Sequence, residues 1–150
     1  MLRLNGKRIR AATRRRSAYM VMQDVGRQLF AATTEEEVTL GLAKSEREHC
    51  NVNEILHRLD LEDVALRHPQ SLSGGQRQRL AIASAQAEQA EVYIFDEPTS
   101  GVGWHQLQSI STLLQSLAAS GAVVIVITHD HEFIQESVTR IIDMTEINKN

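Results

Sequence analysis

Leu72-Ser73-Gly74-Gly75-Gln76-Arg77-Gln78-Arg79-Leu80-Ala81-Ile82-Ala83, followed by Val92-Tyr93-Ile94-Phe95-Asp96-Glu97, is the stretch that decides the fold. From Gly75 to about Gln89 the residues are strong helix formers, and Ser73-Gly74-Gly75 stands where the helix starts. The free N–H groups of that helix therefore point back at the glycines. Val92 to Phe95 is continuously apolar, and Val123 to Ile127 repeats the pattern, which predicts strands buried on both faces of a parallel sheet. Between them Leu107, Ile110, Leu114 and Leu117 form a helical stripe closed by Gly121. Strand, helix, strand in this order is an α/β unit with a right-handed crossover.

Working outward, Ala18-Tyr19-Met20-Val21-Met22 predicts a further buried strand ending at Gln23. Thr34 to Glu37 has capping-box spacing and an acidic first turn, so a short helix is expected to begin at Thr34. Ser45 to Glu48 repeats the spacing, and Val52, Ile55, Leu56 and Leu59 extend a one-sided helix through Leu59. Pro69 marks a loop. A last strand is expected at about Arg140 to Met144, with Glu146 to Asn150 frayed.

Composition excludes several classes. The chain has 150 residues and is 42% hydrophobic, enough for one domain with a real core. Its longest apolar run, Ala122 to Ile127, falls far short of the roughly 20 residues that span a bilayer. Cys50 is the single cysteine, so no internal disulfide or Cys-x-x-Cys site exists and a reducing, cytoplasmic setting fits best. Net charge is −3, yet the first acidic residue is Asp24, and arginines crowd positions 3–16. That basic arm fits nucleic-acid binding, a targeting segment or an exposed edge of a larger domain. Asn5-Gly6 favours a hairpin turn over a targeting helix, and no aromatics are interleaved for base stacking. The exposed edge is preferred, and no nucleic-acid partner is expected.

Three places carry chemistry. Gly74 and Gly75 let the backbone approach an anion closely, at a helix N-terminus whose dipole favours negative charge. Taken alone, the same residues also make a flexible cap. Asp96 and Glu97 emerge at the carboxyl end of a buried strand, where α/β sheets place ligands, and adjacent carboxylates there can divide metal binding from general-base work. Alone, Asp96-Glu97-Pro98 is also an ordinary strand-ending turn. Thr128-His129-Asp130 follows the second buried strand; His129 and His131 with one aspartate make a poor zinc set, and a lone histidine in a loop is commonly only hydrogen-bonded.

The string Leu72 to Ala83 closely resembles the signature motif and helix of ABC-type ATPases, and Val92 to Glu97 resembles their Walker B motif. The resemblance runs from about Leu4 to Met144, and Val21 to Phe30 with Thr34 to Val38 is similar to the cobalt and energy-coupling-factor branch of importers. It implies an α/β P-loop NTPase fold, a parallel sheet core with a helical subdomain at about 31–72, the signature helix from about 75, and the rest of the core at 91–145. It further implies that Ser73, Gly74, Gly75 and Gln76 meet ATP held by a partner subunit. By the same resemblance Asp96 holds Mg²⁺ with Gln23, Glu97 is the general base, and His129 senses the γ-phosphate. The implied partners are a second ABC ATP-binding subunit and an integral membrane transporter subunit, with the chain peripheral at the cytoplasmic face and ATP and Mg²⁺ shared with its partner.

Two departures qualify that picture. The 150 residues contain no Gly-x-x-x-x-Gly-Lys-Ser/Thr loop, so the fold is expected to be incomplete and ATP hydrolysis by the chain alone negligible. Gly103 stands where the family pattern has an aspartate that joins the two sites of a dimer. The leading expectation is part of the ATP-binding subunit of an ABC importer. Alternatives are a non-catalytic partner lending its Ser73–Gly75 turn, a soluble relative acting on DNA or in translation, and a truncated gene product. In the family the phosphate-loop strand lies between the strand preceding His129 and the last strand. Strands at Tyr19–Met22, Val92–Phe95 and Val123–Ile127 are therefore expected to stay adjacent and parallel, with Val123–Ile127 as an apolar edge and Ile141–Met144 either closing onto it or loose.

Overall fold

The computed structural model describes residues 17–143, together with the backbone of two short strands, β1 (Arg3–Leu4) and β2 (Lys7–Arg8). These two pair antiparallel with Arg3 opposite Arg8 and Leu4 opposite Lys7. Asn5, Gly6 and most of the basic arm lie outside the described residues.

The core sheet has three parallel strands in the order β3 (Ala18–Val21), β4 (Val92–Asp96) and β5 (Val123–Ile127). Register pairs Val21 with Phe95 and Phe95 with Val126. The expected order of adjacent strands is thus present. Helix α4 (Gly74–Ala87) packs on β3, and α5 (Trp104–Ala119) packs on β5, with Val21, Tyr93 and Phe95 buried beneath them. Tyr93 and Phe95 stack with ring centroids 6.2 Å apart. Helix α4 is enclosed because α1 (Thr34–Thr39) and α3 (Val52–Arg58) cover its other sides, which is why Leu80 to Ala85 is buried without a break. Such all-round burial explains the small residues Ala81, Ala83, Ser84 and Ala85 in this stretch. Gly121, at φ +99°, ends α5 in the left-handed conformation, as its place in the sequence predicts.

The opposite face of the sheet departs from expectation. Val123, Ile125 and Ile127 are about half exposed, and Met20 joins them at 47%. In register with Ile94 and Val92 they form one continuous apolar face. Continuous apolar strands signal burial on both faces, but among the described residues helices lie on one face only. The expected strand at Arg140 to Met144 is also absent: residues 140–143 have no regular structure, Ile141 and Ile142 are exposed, and Met144 lies outside the described residues. β5 is therefore an edge strand among the described residues.

Local capping also differs in detail. Thr33, not Thr34, caps α1, accepting from the Glu36 N–H at 3.3 Å. Glu37 does not close a capping box. Its buried carboxylate instead accepts the N–H groups of Phe30 and Ala31 at 2.7 and 2.6 Å. The helix expected through Leu59 is two helices, α2 (Lys44–His49) and α3, broken at Cys50-Asn51 where Asn51 caps the second. Ser45 lies inside α2; Glu46 accepts from the Ala43 N–H at 2.7 Å and closes its first turn. A side-chain amide at position 51 competes with helix continuation by offering its own cap.

Because Glu37 holds two otherwise unpaired N–H groups, Glu37→Ala is expected to cost about 2–3 kcal/mol. Urea denaturation measures this; a change below about 0.5 kcal/mol, the usual range for a surface site, contradicts it.

Candidate nucleotide and signature-loop site

The signature turn is built by its own side chains. Ser73 caps α4, accepting from the Gln76 N–H at 3.3 Å while the Gln76 side chain accepts from the Ser73 N–H at 3.0 Å. Gln76 is thereby occupied within the turn. Gly75 approaches the Gly101 carbonyl so closely that a Cβ there would lie 3.0 Å from its oxygen, whereas a Cβ at Gly74 would meet nothing within 4 Å. Arg79 lies beneath, its Nε donating to the Leu59 carbonyl at 2.7 Å. Burial lowers its pKa, against the pull of Asp60.

A groove of about 900 Å³ runs along this turn, lined by Gln23 and Asp24, Ser73 to Gly75, Arg77 and the Gly101–Gly103 loop. The structure thus brings Gln23 together with Ser73, Gly74 and Gly75. Gly103 caps α5 without a side-chain hydrogen bond.

A second group gathers at the carboxyl edge of the sheet. Glu97 sits at φ +51°, a left-handed conformation costly for a residue with a side chain, and its N–H donates to the Ile127 carbonyl at 2.8 Å. Its carboxylate meets His129 Nδ1 at 2.8 Å and accepts from Thr128 Oγ1 at 3.2 Å. Gln78 of α4 donates to the Glu97 carbonyl at 3.4 Å, linking this group to the signature helix. Asp96 ends β4 beside them but shares none of these bonds. With the Gln23 amide one strand over, its carboxylate is an oxygen donor of the kind Mg²⁺ takes alongside phosphate oxygens. These residues fit that ion. Among the described residues there is no cluster of three or more His, Cys, Asp or Glu side chains that could hold a metal ion.

Hydrogen bonding to Glu97, reinforced by its charge, raises the pKa of His129. His129 protonation therefore adds stability that is complete below its ordinary value of about 6.5 and is lost as pH rises through the raised one. In an NMR titration His129 is expected to titrate above the ordinary histidine range and to fall back in Glu97→Gln. An unchanged His129 titration in that variant contradicts the pairing.

Several contacting residues were assigned no role from sequence. Thr128 holds the Glu97 carboxylate, Gln78 reaches Glu97 across 19 positions, and Thr99 Oγ1 donates to Asp130 at 2.9 Å. Asp130 also caps α6 (His131–Ser137), accepting from Glu132 and Phe133. Those backbone hydrogen bonds, Phe133's foremost, and the one from Thr99 lower its pKa. Only Asp130 carried a readable signal, an N-cap residue directly before a helix.

Carboxylates and a histidine at the carboxyl edge of a parallel sheet, with a glycine turn opening an adjacent helix, make this an α/β protein with its polar groups gathered where such folds place ligands. Residues 2–100 match the ABC transporter family model, and the chain belongs to that family. It is 41% identical over 138 residues to an ABC transporter ATP-binding protein of Treponema denticola, covering 92% of this chain and 28% of that protein. It is 43% identical over 122 residues to the cobalt import ATP-binding protein CbiO of Rhodobacter capsulatus, covering 79% of this chain and 44% of that one. The solved structure of CbiO1 from Clostridium perfringens, part of an ABC transporter complex, superposes with a TM-score of 0.66 at 31% identity, over 84% of this chain and 54% of that one. The chain thus spans less than half of these two curated relatives, and its likeness to cobalt-import proteins agrees with the branch expected from Val21 to Phe30.

Proposed function

We propose that the chain is the signature- and Walker B-bearing part of the ATP-binding subunit of an energy-coupling-factor-type importer, working at a dimer interface where ATP and Mg²⁺ are shared with a second ABC subunit. The observation that carries this reading is the groove joining Gln23, Ser73, Gly74 and Gly75, since a glycine turn at a helix N-terminus beside an amide-bearing loop suits a phosphate presented from outside. Asp96 and Gln23 would hold Mg²⁺, which when bound neutralises phosphate charge. Glu97 would orient and deprotonate water, and His129 would hold Glu97 in place and face the terminal phosphate. The chain's own contribution is positioning and charge stabilisation.

The open sheet face supports the same reading. A strand, phosphate loop and helix added along the β5 edge would cover Met20, Ile94 and Ile125 and would bring the helix N-terminus to the carboxyl edge. Phe30 is 75% exposed on the loop after Gln23, which favours docking on a membrane subunit over packing within a helical subdomain at 31–72. Such docking would put the chain at the cytoplasmic face of a membrane.

Sedimentation of the chain with a complete ABC ATP-binding subunit tests the proposal. Association is expected with Mg-ATP and not with Mg-ADP, and cross-links from positions 27–33 should reach a membrane subunit in the assembled complex. The chain alone is expected to turn over no Mg-ATP. Equal association with both nucleotides contradicts the shared site, and turnover by the chain alone that disappears in Glu97→Gln overturns the expectation of inactivity.

A further inference from the structure

The loop that follows β3 is pinned at three points by side chains. Gln28 folds back on the strand, its Oε1 accepting from the Met22 N–H at 2.8 Å and its Nε2 donating to the Met20 carbonyl at 3.4 Å. Glu37 holds the N–H groups of Phe30 and Ala31. The third point comes from far along the chain: Gln70 Nε2 donates to the Gly26 carbonyl at 3.0 Å and to that of Leu29 at 3.4 Å, across more than 40 positions. Gln70 is solvent-exposed, so burial does not force this contact.

Gln70 belongs to a stiff element. Residues Pro69–Ser71 form a 3₁₀ turn whose Pro69 is fully buried, and His68 closes it by accepting from the Gln70 N–H at 3.1 Å. Ser71 Oγ donates to the His68 carbonyl at 2.7 Å, and the Leu72 N–H donates to Pro69. Leu72 is buried, its carbonyl accepts from Arg77 at 2.6 Å, and the next residue is the Ser73 cap. Every link from the Gln70 amide to the glycine turn is thus closed by a hydrogen bond or by burial. Such a chain of satisfied polar contacts moves as a unit.

We propose that Gln70 is a positioning residue that sets the Ser73-Gly74-Gly75 turn against the Gln23–Phe30 loop, so that displacement of the exposed Phe30 side is passed to the turn. Its functional meaning rests on the proposed role of that turn, but its mechanical content does not. Two bonds from one amide give the loop both a distance and an orientation relative to the 3₁₀ turn. A residue with no donor at position 70 leaves the Gly26 and Leu29 carbonyls to water and the loop held only at its two ends.

The test is amide hydrogen exchange on the full chain. Gln70→Glu keeps the shape of the side chain and removes its donors; Gln70→Arg restores donors at comparable reach. In Gln70→Glu, amides of 26–31 and of 73–76 are expected to exchange about three- to tenfold faster together, while those of Tyr93 to Phe95 and the melting temperature stay unchanged. Gln70→Arg is expected to return both segments towards the parent rates. If only 26–31 responds, if the sheet accelerates in proportion, or if Gln70→Arg fails to restore the turn, the proposal is overturned. ATP-dependent association with a complete ABC subunit, measured in the same variants, is expected to weaken in Gln70→Glu and recover in Gln70→Arg. Failure of the parent chain to associate at all would refute the proposed function while the exchange result still decides Gln70.

Discussion

Gly74→Asp is expected to melt no lower than the parent chain and yet to lose ATP-dependent association with a complete ABC subunit by more than about tenfold. The two effects have opposite signs for one physical reason. Position 74 is the first residue of α4, and a Cβ there meets nothing within 4 Å, so the side chain is sterically free. A carboxylate in the first turn of a helix is stabilising by about 0.3–1 kcal/mol because it neutralises the positive end of the dipole. That same charge then occupies the place offered to a phosphate. Gly75→Ala is the control: its new methyl would sit 3.0 Å from the Gly101 backbone oxygen, and overpacking of this kind costs about 1–3 kcal/mol. Melting should therefore fall in Gly75→Ala and hold in Gly74→Asp. Retained association in Gly74→Asp would remove the turn from the nucleotide site.

Phe95→Ala and Ile125→Lys are expected to diverge still further, although both residues lie in the central sheet. Phe95 is fully buried and stacked on Tyr93, and its truncation should cost about 3–5 kcal/mol against a total stability of about 5–15 kcal/mol for a domain. Much of the chain should then be unfolded in mild urea. Ile125 points to the other face and is 45% exposed. An open apolar face beside an edge strand invites pairing between copies of the chain; a lysine at 125 interrupts both, so that self-association should fall while near-ultraviolet circular dichroism is retained. Sedimentation velocity and urea denaturation read both outcomes. Loss of fold in Ile125→Lys equal to that of Phe95→Ala would mean that this face is covered.

The sequence stated the chemistry of this protein more plainly than its packing. The place of Ser73-Gly74-Gly75 at a helix N-terminus and of Asp96-Glu97 at the end of an apolar strand was legible from local composition, and only the resemblance to the ABC class lent them their proposed roles. Gly121 was legible for the same reason, since its conformation is set within one turn. The β3-β4-β5 order followed from the resemblance to the ABC class, whose motifs fix the order of their strands. Contacts across long separations were not legible. Gln78 to Glu97, Thr99 to Asp130 and Gln70 to Gly26 pair ordinary polar residues whose types say nothing about their partners.

What the amino-acid sequence determined by itself was therefore the family and the parallel α/β core, and it singled out the residues proposed to meet phosphate and Mg²⁺. These depend on short-range properties: propensity, apolar runs, and glycine at a place of close approach. Tertiary structure alone decided that Glu37 anchors the Phe30 loop and closes no cap, that Cys50-Asn51 splits a helix, and that Val123, Ile125 and Ile127 stay half exposed. Apolar residues report that a strand has surface to bury, not whether a helix is present to bury it, so only the packed molecule distinguishes a covered sheet face from an open one.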